Sequence, residues 1–455
     1  MKEMINEMAE KFKSTLAKFF ESGQTDIGHA EEYMGREISS MVLEILAAYY
    51  EQEDARMLAD KAGRKLVGLQ VEHRNERRQV LTLLGNLEYR RTYYRRKEGG
   101  YCHPIDEKAG VEANQKVSGG VSLALVEAAV KMSYAKSSQA VTGGQVSRQT
   151  VPRKIRSSRP EPTTDQERRK VPVLHVDADE DHVHLQNGKS AVVPLISVYE
   201  GVERRGKRGI CKNIVHYGGY GKKPEDFWEE TLNDLERRYD LADTKIYLHG
   251  DGAAWIRNGL EWLPNSVFVL DRYHKNQALK HLVSGIDRAS GSQYEQLTRK
   301  ALHSVDRSQL QRLYERMLQR YPDRTKTISE AMNYLLNNLD AISIIQADPE
   351  ASRGGATEPH ISHVLSARLS GRPMGWSAET LKRLVPLLAA GTDRITLDDA
   401  GGASALPLAA SKDRQPMKKA KVIPFSLGLP HPDLALSLPA RSGMVTPLFN
   451  ALRPF

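Results

Sequence analysis

Apolar residues recur at helical spacing in the first seventy residues of the chain. Met41, Leu43, Ile45 and Leu46 belong to an apolar stripe that runs between charged faces. Such spacing is typical of a helix that buries one side. The pattern predicts an amphipathic helical region over residues 1–70, and a helix of this kind also suits self-association.

Residues 71–110 alternate between apolar and polar positions. Thr82 precedes Gly85-Asn86, and Leu87 and Tyr89 continue the alternation after it, which predicts a β-hairpin that turns at Gly85-Asn86. Basic side chains can hold nucleic-acid phosphates, and a solvated edge hairpin is the alternative. The candidate DNA-binding residues of this hairpin are Arg90, Arg91, Arg95 and Arg96.

Residues 111–157 contain three short helical patterns, "GGVSLALVEAAVKM", "SYAKSSQAV" and "VSRQTVPRKIR", with a "TGGQ" turn before the last. A helix, a glycine-containing turn and a basic helix are typical of a helix-turn-helix, whose last helix enters the major groove of DNA. Ser147 is the predicted N-cap of that helix, and Pro152 predicts a kink or a later start. The candidate DNA-binding residues are Arg148, Arg153, Lys154 and Arg156.

Residues 158–170 are polar and contain proline, which predicts a linker. Beyond it, "VPVLHVDADEDHVHLQ" and "SAVVPLISVYE" flank Asn187-Gly188, a strong hairpin pattern. A strand "KNIVHYGG", a helix "KPEDFWEETLNDLERRYD" and the strands "TKIYLHGDG" and "NSVFVLDRYH" follow. This order predicts an α/β fold with a ribonuclease-H-like mixed sheet. The expected catalytic domain spans residues 171–390, with an all-α insertion at about 276–350.

Carboxylates follow the predicted strands. Asp177, Asp179 and Asp181 share one face of the first strand because side chains alternate, while Glu180 faces the other side. Asp251 stands where a later strand ends. Acids at the ends of central strands can share one site, and two divalent cations held by carboxylates can activate a nucleophile at a phosphodiester.

The sequence also resembles a known family. The segments "DADEDHVHLQ", "HGDGAAWI", "LDRYHKNQAL" and "TEPHISHVLSARLSGRPMGWS", in that order, are similar to the insertion-sequence DDE transposases of the ISLre-two type, which are relatives of the Mutator-like group. The resemblance covers about Leu84 to about Leu384. It implies a ribonuclease-H-like fold, an upstream helix-turn-helix, a helical insertion before the last acid, and Mg²⁺ as cofactor, for which Mn²⁺ can substitute.

The resemblance also implies particular site residues. Carried over residue by residue, the catalytic and metal-binding triad falls on Asp179, Asp251 and Glu358, with Asp177 as the alternative metal ligand. Thr357 is a predicted N-cap that would place Glu358 in the first turn of a helix. Three further residues are expected to support the site: Asp271, His274 and His363.

The composition restricts the class of protein. The net charge of +9 favours polyanionic partners, and Cys102 and Cys211 form no CxxC pattern, which argues against a disulfide framework. No apolar run reaches the roughly 18 residues of a membrane-spanning helix. We expect a bacterial cytoplasmic protein, associated with the nucleoid when bound to DNA and without a membrane partner. The Pro/Ala/Leu-rich residues 391–455 do not match the family's ending and are predicted to be disordered.

Three functions compete at this point. The first is a transposase that binds terminal inverted repeats, cleaves a DNA strand and transfers its end to target DNA, acting as a homo-oligomer on DNA. The second is a catalytically inactive, transposase-derived DNA-binding protein, because the altered C-terminus puts activity in doubt. The third is a zinc hydrolase that uses the residues His175, Asp177, Asp179, His182 and His184. It is disfavoured because alternation along the strand separates His175 from His182 and His184.

Overall fold

The computed structural model describes residues 2–23, 26–161, 167–206, 208–391 and 394–398. Its chain divides into two compact units, one comprising the chain up to Ser158 together with the residues from Leu397 onward, and one spanning Arg159–Thr396. The division falls at the start of the predicted linker. Most of the predicted C-terminal tail, and residues 162–166 of that linker, lie outside the described residues.

The first unit combines helices with an antiparallel sheet of order β1-β2-β3. Its elements are α1 (Lys2–Glu21), α2 (Ile27–Ala59), α3 (Lys61–Leu66), β1 (Leu69–Thr82), β2 (Gly85–Arg96), β3 (Tyr101–Cys102), α4 (Pro104–Lys108), α5 (Gly119–Lys131), α6 (Tyr134–Thr142) and α7 (Thr150–Arg156).

The predicted hairpin forms, but its turn lies two residues earlier than expected. Thr82 pairs with Gly85, so Leu83 and Leu84 make the turn and Gly85-Asn86 belongs to β2. Helix α2 packs along β2 and accepts backbone N–H bonds from it, from Arg90 to Glu51 at 2.9 Å and from Thr92 to Asp54 at 2.9 Å. The Glu51 and Asp54 carboxylates therefore pair with backbone N–H groups of β2 that would have no partner at an uncovered sheet edge.

Helices α5, α6 and α7 form in the predicted order. Ser118 and Ser133 cap the first two helices, and Gly143 ends α6 in the left-handed conformation. The prediction of Ser147 as the N-cap of the third helix is wrong, because α7 begins at Thr150. Pro152 then lies in the first turn, where its missing N–H costs no helical hydrogen bond.

The second unit is built around a five-stranded mixed sheet. The strands that follow the first unit, in chain order and including those outside this sheet, are β4 (Ser158–Pro160), β5 (Arg169–Lys170), β6 (Val173–His184), β7 (Ser190–Tyr199), β8 (Val202–Arg205), β9 (Arg208–Cys211), β10 (Val215–Gly218), β11 (Tyr239–Asp240), β12 (Lys245–Gly250), β13 (Ser266–Leu270) and β14 (Ile395–Leu397). Its helices are α8 (Pro224–Arg238), α9 (Ala254–Arg257), α10 (Gly259–Trp262), α11 (Arg272–Leu282), α12 (Arg288–His303), α13 (Arg307–Arg320), α14 (Thr325–Asn337), α15 (Leu339–Ala347), α16 (Thr357–Ile361), α17 (Ala367–Leu369) and α18 (Ala378–Ala390).

The main sheet has the order β10-β7-β6-β12-β13. The first three strands are antiparallel neighbours, whereas β12 runs parallel to both β6 and β13. The mixed α/β class and the strands predicted on either side of Asn187-Gly188 are therefore confirmed. The segment from Arg272 to Ala347 is helical, as the pattern predicts.

The two faces of β6 meet different surroundings. Leu174, Val176 and Ala178 join a large apolar core with Phe227 and Trp228 of α8. The alternate residues of β6 face the other side of the sheet, where the acids lie. Burial of the apolar face therefore fixes which side chains of this strand are presented to the site.

No helix within the described residues is both long and apolar enough to cross a membrane.

Candidate active site

Three aspartates lie on one face of the central strand, as predicted. Asp177, Asp179 and Asp181 are 2%, 8% and 8% exposed. Glu180 faces the other side and accepts a 2.8 Å hydrogen bond from the Trp255 indole nitrogen. The period of two along β6 thus separates Glu180 from the candidate ligands.

Asp251 follows β12 directly. Because His249 of β12 pairs in parallel with Asp177, two further residues along each strand bring Asp251 to the level of Asp179. The Asp251 carboxylate accepts a 2.8 Å bond from the Ala253 N–H, and its carbonyl oxygen accepts a 2.6 Å bond from the Tyr334 hydroxyl. The chain thus turns at the strand end and holds Asp251 at that edge of the sheet.

Glu358 lies in α16 and is exposed. Thr357 is the first residue of that helix rather than its N-cap, which is Ala356. Its hydroxyl donates instead to Asp271 at 2.6 Å. The helix continues from α16 through a π-helical turn, Ser362–Ser366, into α17, and such turns occur often at functional sites. The predicted supporting residue His363 is exposed on that π-helical turn.

The charges of the other two predicted acids act on Asp179. The pKa of Asp179 is raised from 3.8 to about 6, chiefly by burial; the charges of Asp251 and Glu358 contribute to the rise, while a hydrogen bond from the Glu180 amide and the charge of His274 oppose it. The parallel pairing of β12 with β6 places Asp251 near Asp179, and the bonds from Gly355 and Ala356 to Asp177 hold the start of α16 beside the same strand.

Asp271 and His274 form a pair beside these acids. Asp271 caps α11, and its carboxylate is 3.2 Å from His274 Nδ1. Burial alone would raise the pKa of Asp271, but hydrogen bonds from His274, Thr357 and the Tyr273 amide lower it. Burial opposes the protonation of His274, yet its bond to Asp271 and the nearby charges of Asp179 and Asp251 raise its pKa. This arrangement favours a positively charged imidazole next to the acids.

Asp177 has different surroundings from Asp179. Its carboxylate accepts bonds from the Tyr199 hydroxyl at 3.1 and 3.2 Å, and from the backbone N–H groups of Gly355 at 3.2 Å and Ala356 at 2.8 Å. Burial raises the pKa of Asp177 to about 7. Sequence reasoning missed Tyr199, although its place at the end of an alternating strand opposite the acids was a usable signal.

The histidines of this sheet do not form a zinc site. His175 is fully buried and 3.2 Å from His249, whereas His182 and His184 are exposed on the opposite face. Burial lowers the pKa of His175 to about 4 and that of His249 to about 3. Both rings are therefore neutral at physiological pH.

Within the parts of the chain that the structure describes, no three His, Cys, Asp or Glu side chains are gathered closely enough to hold a metal ion. Asp179, Asp251 and Glu358 offer carboxylate oxygens, the donors that Mg²⁺ and Mn²⁺ prefer. The donor set therefore fits a hard divalent cation in its chemistry, and the neighbouring negative charge that raises the pKa of Asp179 would be neutralised by such an ion.

The predicted DNA-binding residues lie in the first unit. Around the helix-turn-helix, Arg148 and Arg153 are exposed, and Lys154 and Arg156 are half-buried. In the hairpin, Arg90, Arg95 and Arg96 are exposed. Arg91 is a predicted DNA-binding residue, but its side chain is buried rather than on the surface. It is 8% exposed and paired with the buried Asp106.

Comparison with known proteins identifies the family. The model of the Uncharacterised protein family (UPF0236) matches residues 25–401. The chain belongs to the UPF0236 family. A UPF0236 protein of Caldanaerobacter subterraneus subsp. tengcongensis is 35% identical over 350 residues, covering 76% of this chain and 73% of its own.

Two more members of the UPF0236 family extend the comparison. A second protein of the same organism is 36% identical over 323 residues, covering 70% of this chain and 68% of its own. A UPF0236 protein encoded in the vanSb 3′ region of Streptococcus gallolyticus is 25% identical over 383 residues, covering 80% of this chain and 82% of its own. The similarity to each relative thus extends over most of both chains.

Proposed function

We propose that this protein is a DDE transposase of an insertion sequence, with a ribonuclease-H-like catalytic unit. The observation that carries the proposal is the placement of Asp179 on β6 and of Asp251 directly after the parallel neighbouring strand β12, with the segment before Glu358 bound to Asp177 of the same strand as Asp179. The strand order β10-β7-β6-β12-β13, with three antiparallel strands followed by two parallel ones, supports the proposed fold.

The relatives add an independent argument. The name of one relative joins eleven locus designations of a single genome, and that of another joins four. A sequence that recurs at many loci of one genome is what the spread of a mobile element produces. Resemblance to the ISLre-two type of transposase agrees with this interpretation.

The proposed reaction breaks and forms phosphodiester bonds. Water attacks the phosphorus at the end of the element and releases a 3′ hydroxyl, which then attacks a phosphodiester of target DNA and displaces a second 3′ oxygen. Asp179, Asp251 and Glu358 would hold Mg²⁺ or Mn²⁺. When bound, these ions lower the pKa of the attacking group and neutralise charge on the leaving oxygen.

Other residues of the chain bind and orient the DNA in this proposal. His274 is held by Asp271 in a position where its raised pKa favours the charged form, which attracts a phosphate. The exposed Arg148 and Arg153 of the first unit are suited to the DNA backbone. Double-stranded DNA with terminal inverted repeats is the proposed substrate, bound by a homo-oligomer because two ends must meet.

The test is incubation of the purified protein with DNA that carries the flanking ends of its own element, with and without Mg²⁺. We expect strand cleavage at the element end only with the metal, and its loss in Asp251→Asn. Cleavage that is unchanged in Asp251→Asn would show that the site is wrongly assigned. Binding of the ends without cleavage under either Mg²⁺ or Mn²⁺ would favour the alternative, an inactive DNA-binding descendant of a transposase.

A further inference from the structure

Two buried aspartates accept hydrogen bonds from the segment that precedes Glu358 and hold it against the sheet. Asp177 on β6 accepts the backbone N–H groups of Gly355 and Ala356 at 3.2 and 2.8 Å. Asp271 at the end of β13 accepts the Thr357 hydroxyl at 2.6 Å. Three successive residues immediately before Glu358 are thus bound to two different strands, and we call these contacts the Glu358 anchor.

The hydrogen bonds of Asp177 distinguish it from Asp179. Both Asp177 oxygens accept from the Tyr199 hydroxyl and each accepts one backbone N–H, in a position that is 2% exposed. Asp179 accepts a bond from the adjacent Glu180 amide and faces the charges of Asp251 and Glu358. A carboxylate that already accepts from three donors, one of them a hydroxyl shared between its two oxygens, has little lone-pair capacity left for a cation.

The backbone of the anchored segment depends on two glycines. A Cβ atom at position 354 would collide with the rings of His249 and His175. Gly355 has a φ of +83°, which side chains other than glycine adopt at a cost. The glycines let the chain approach the strands closely enough for Asp177 to reach its backbone.

We propose that Asp177 and Asp271 are positioning residues that hold the first turn of α16, and with it Glu358, in register with Asp179 and Asp251. The inference rests on the proposed function and assigns the first metal ligand to Asp179 rather than Asp177. It explains why two carboxylates are buried at positions where apolar side chains would cost less free energy to bury. Displacements of about 1 Å at a catalytic group are costly, which is why the anchor matters for activity.

The first test uses Thr357, whose hydroxyl can be removed without changing the shape of the side chain. Thr357→Val deletes the bond to Asp271, Thr357→Ser keeps it, and Ser362→Ala on the exposed side of the same helix is the matched control. Hydrogen–deuterium exchange of the amides of residues 355–358, 360 and 361 is measured in metal-free protein. Because Thr357→Val loses a charge-assisted hydrogen bond, we expect these amides to exchange about tenfold faster than in the wild type. Thr357→Ser and Ser362→Ala should exchange at rates close to that of the wild type.

The second test compares the two neighbouring aspartates in the same exchange experiment. Asp177→Asn, which keeps one acceptor oxygen and loses the other, is expected to accelerate exchange at Gly355 and Ala356. Asp179→Asn is expected to leave these amides unchanged. Equal effects of the two substitutions, or equal exchange in the Val and Ser variants of Thr357, would overturn the inference.

The third measurement is the single-turnover rate at which the protein cleaves DNA that carries the ends of its element. We expect a loss of about tenfold in Thr357→Val and recovery in Thr357→Ser. If the wild-type protein cleaves no DNA, the proposed function fails, yet the exchange measurements still decide whether the anchor exists. If the wild type cleaves and both Thr357 variants cleave equally well, the anchor has no role in positioning Glu358.

Discussion

Replacement of Asp179 by asparagine should stabilise the metal-free protein at pH 8. The carboxyl group is 8% exposed, and its pKa lies at about 6 instead of 3.8. This difference of about 2 units, at roughly 1.4 kcal/mol per unit, corresponds to about 3 kcal/mol of unfavourable free energy when the group is ionised. Asparagine carries no charge and can still accept the hydrogen bond from the Glu180 amide.

The direction of the pH dependence follows from the raised pKa. Between about pH 4 and pH 6 the folded protein holds a proton that the unfolded chain has lost, so the free energy of unfolding falls as the pH rises through this interval. The advantage of Asp179→Asn should therefore be near zero below about pH 4 and reach about 3 kcal/mol above about pH 6.

The assay is urea unfolding in EDTA at pH 4 and pH 8, with the exposed Asp243→Asn as the matched control. Addition of Mg²⁺ should raise the stability of the wild type more than that of the variant. A variant that is less stable than the wild type at pH 8, or a gain that is equally large at pH 4, would refute the electrostatic reasoning.

Three further predictions concern other parts of the molecule. Trp228→Ala should lower the free energy of unfolding by about 3–5 kcal/mol, measured by urea unfolding, because the side chain is fully buried in the core of the second unit. Asp106→Ala should cost a similar amount, roughly 3–5 kcal/mol in the same assay, since it leaves the buried Arg91 and the half-buried Arg78 without their carboxylate. Arg153→Ala should weaken DNA binding uniformly across sequences and lower the salt slope by about one in filter-binding or anisotropy titrations; an effect confined to one DNA sequence would contradict a backbone contact.

The arrangement of the acids on β6 could be predicted from the sequence because it depends on local geometry alone. Side chains alternate along any strand, so Asp177 and Asp179 had to share a face that excludes Glu180. The parallel pairing of β12 with β6 also follows from the order of strands and helices. These features need no knowledge of the rest of the molecule.

The roles of individual polar residues could not be predicted in this way. Which of Asp177 and Asp179 is the better candidate metal ligand depends on backbone N–H groups that lie 178 and 179 residues beyond Asp177. The burial of Arg91 depends on Asp106, which belongs to another element. Tertiary packing determines such pairings, so the spacing of residues in the sequence does not predict them.

The central claim is that Asp179, Asp251 and Glu358 act as one metal-dependent site. The most direct measurement is the single-turnover rate of Mg²⁺-dependent cleavage of element-end DNA by the wild type, by Asp179→Asn, Asp251→Asn and Glu358→Gln, and by the double variant of the two aspartates. Residues that act as a unit are strongly non-additive, so we predict that each single substitution removes nearly all cleavage and that the double variant loses no more. Cleavage that survives any one of these substitutions, or losses that add up in the double variant, would contradict the account.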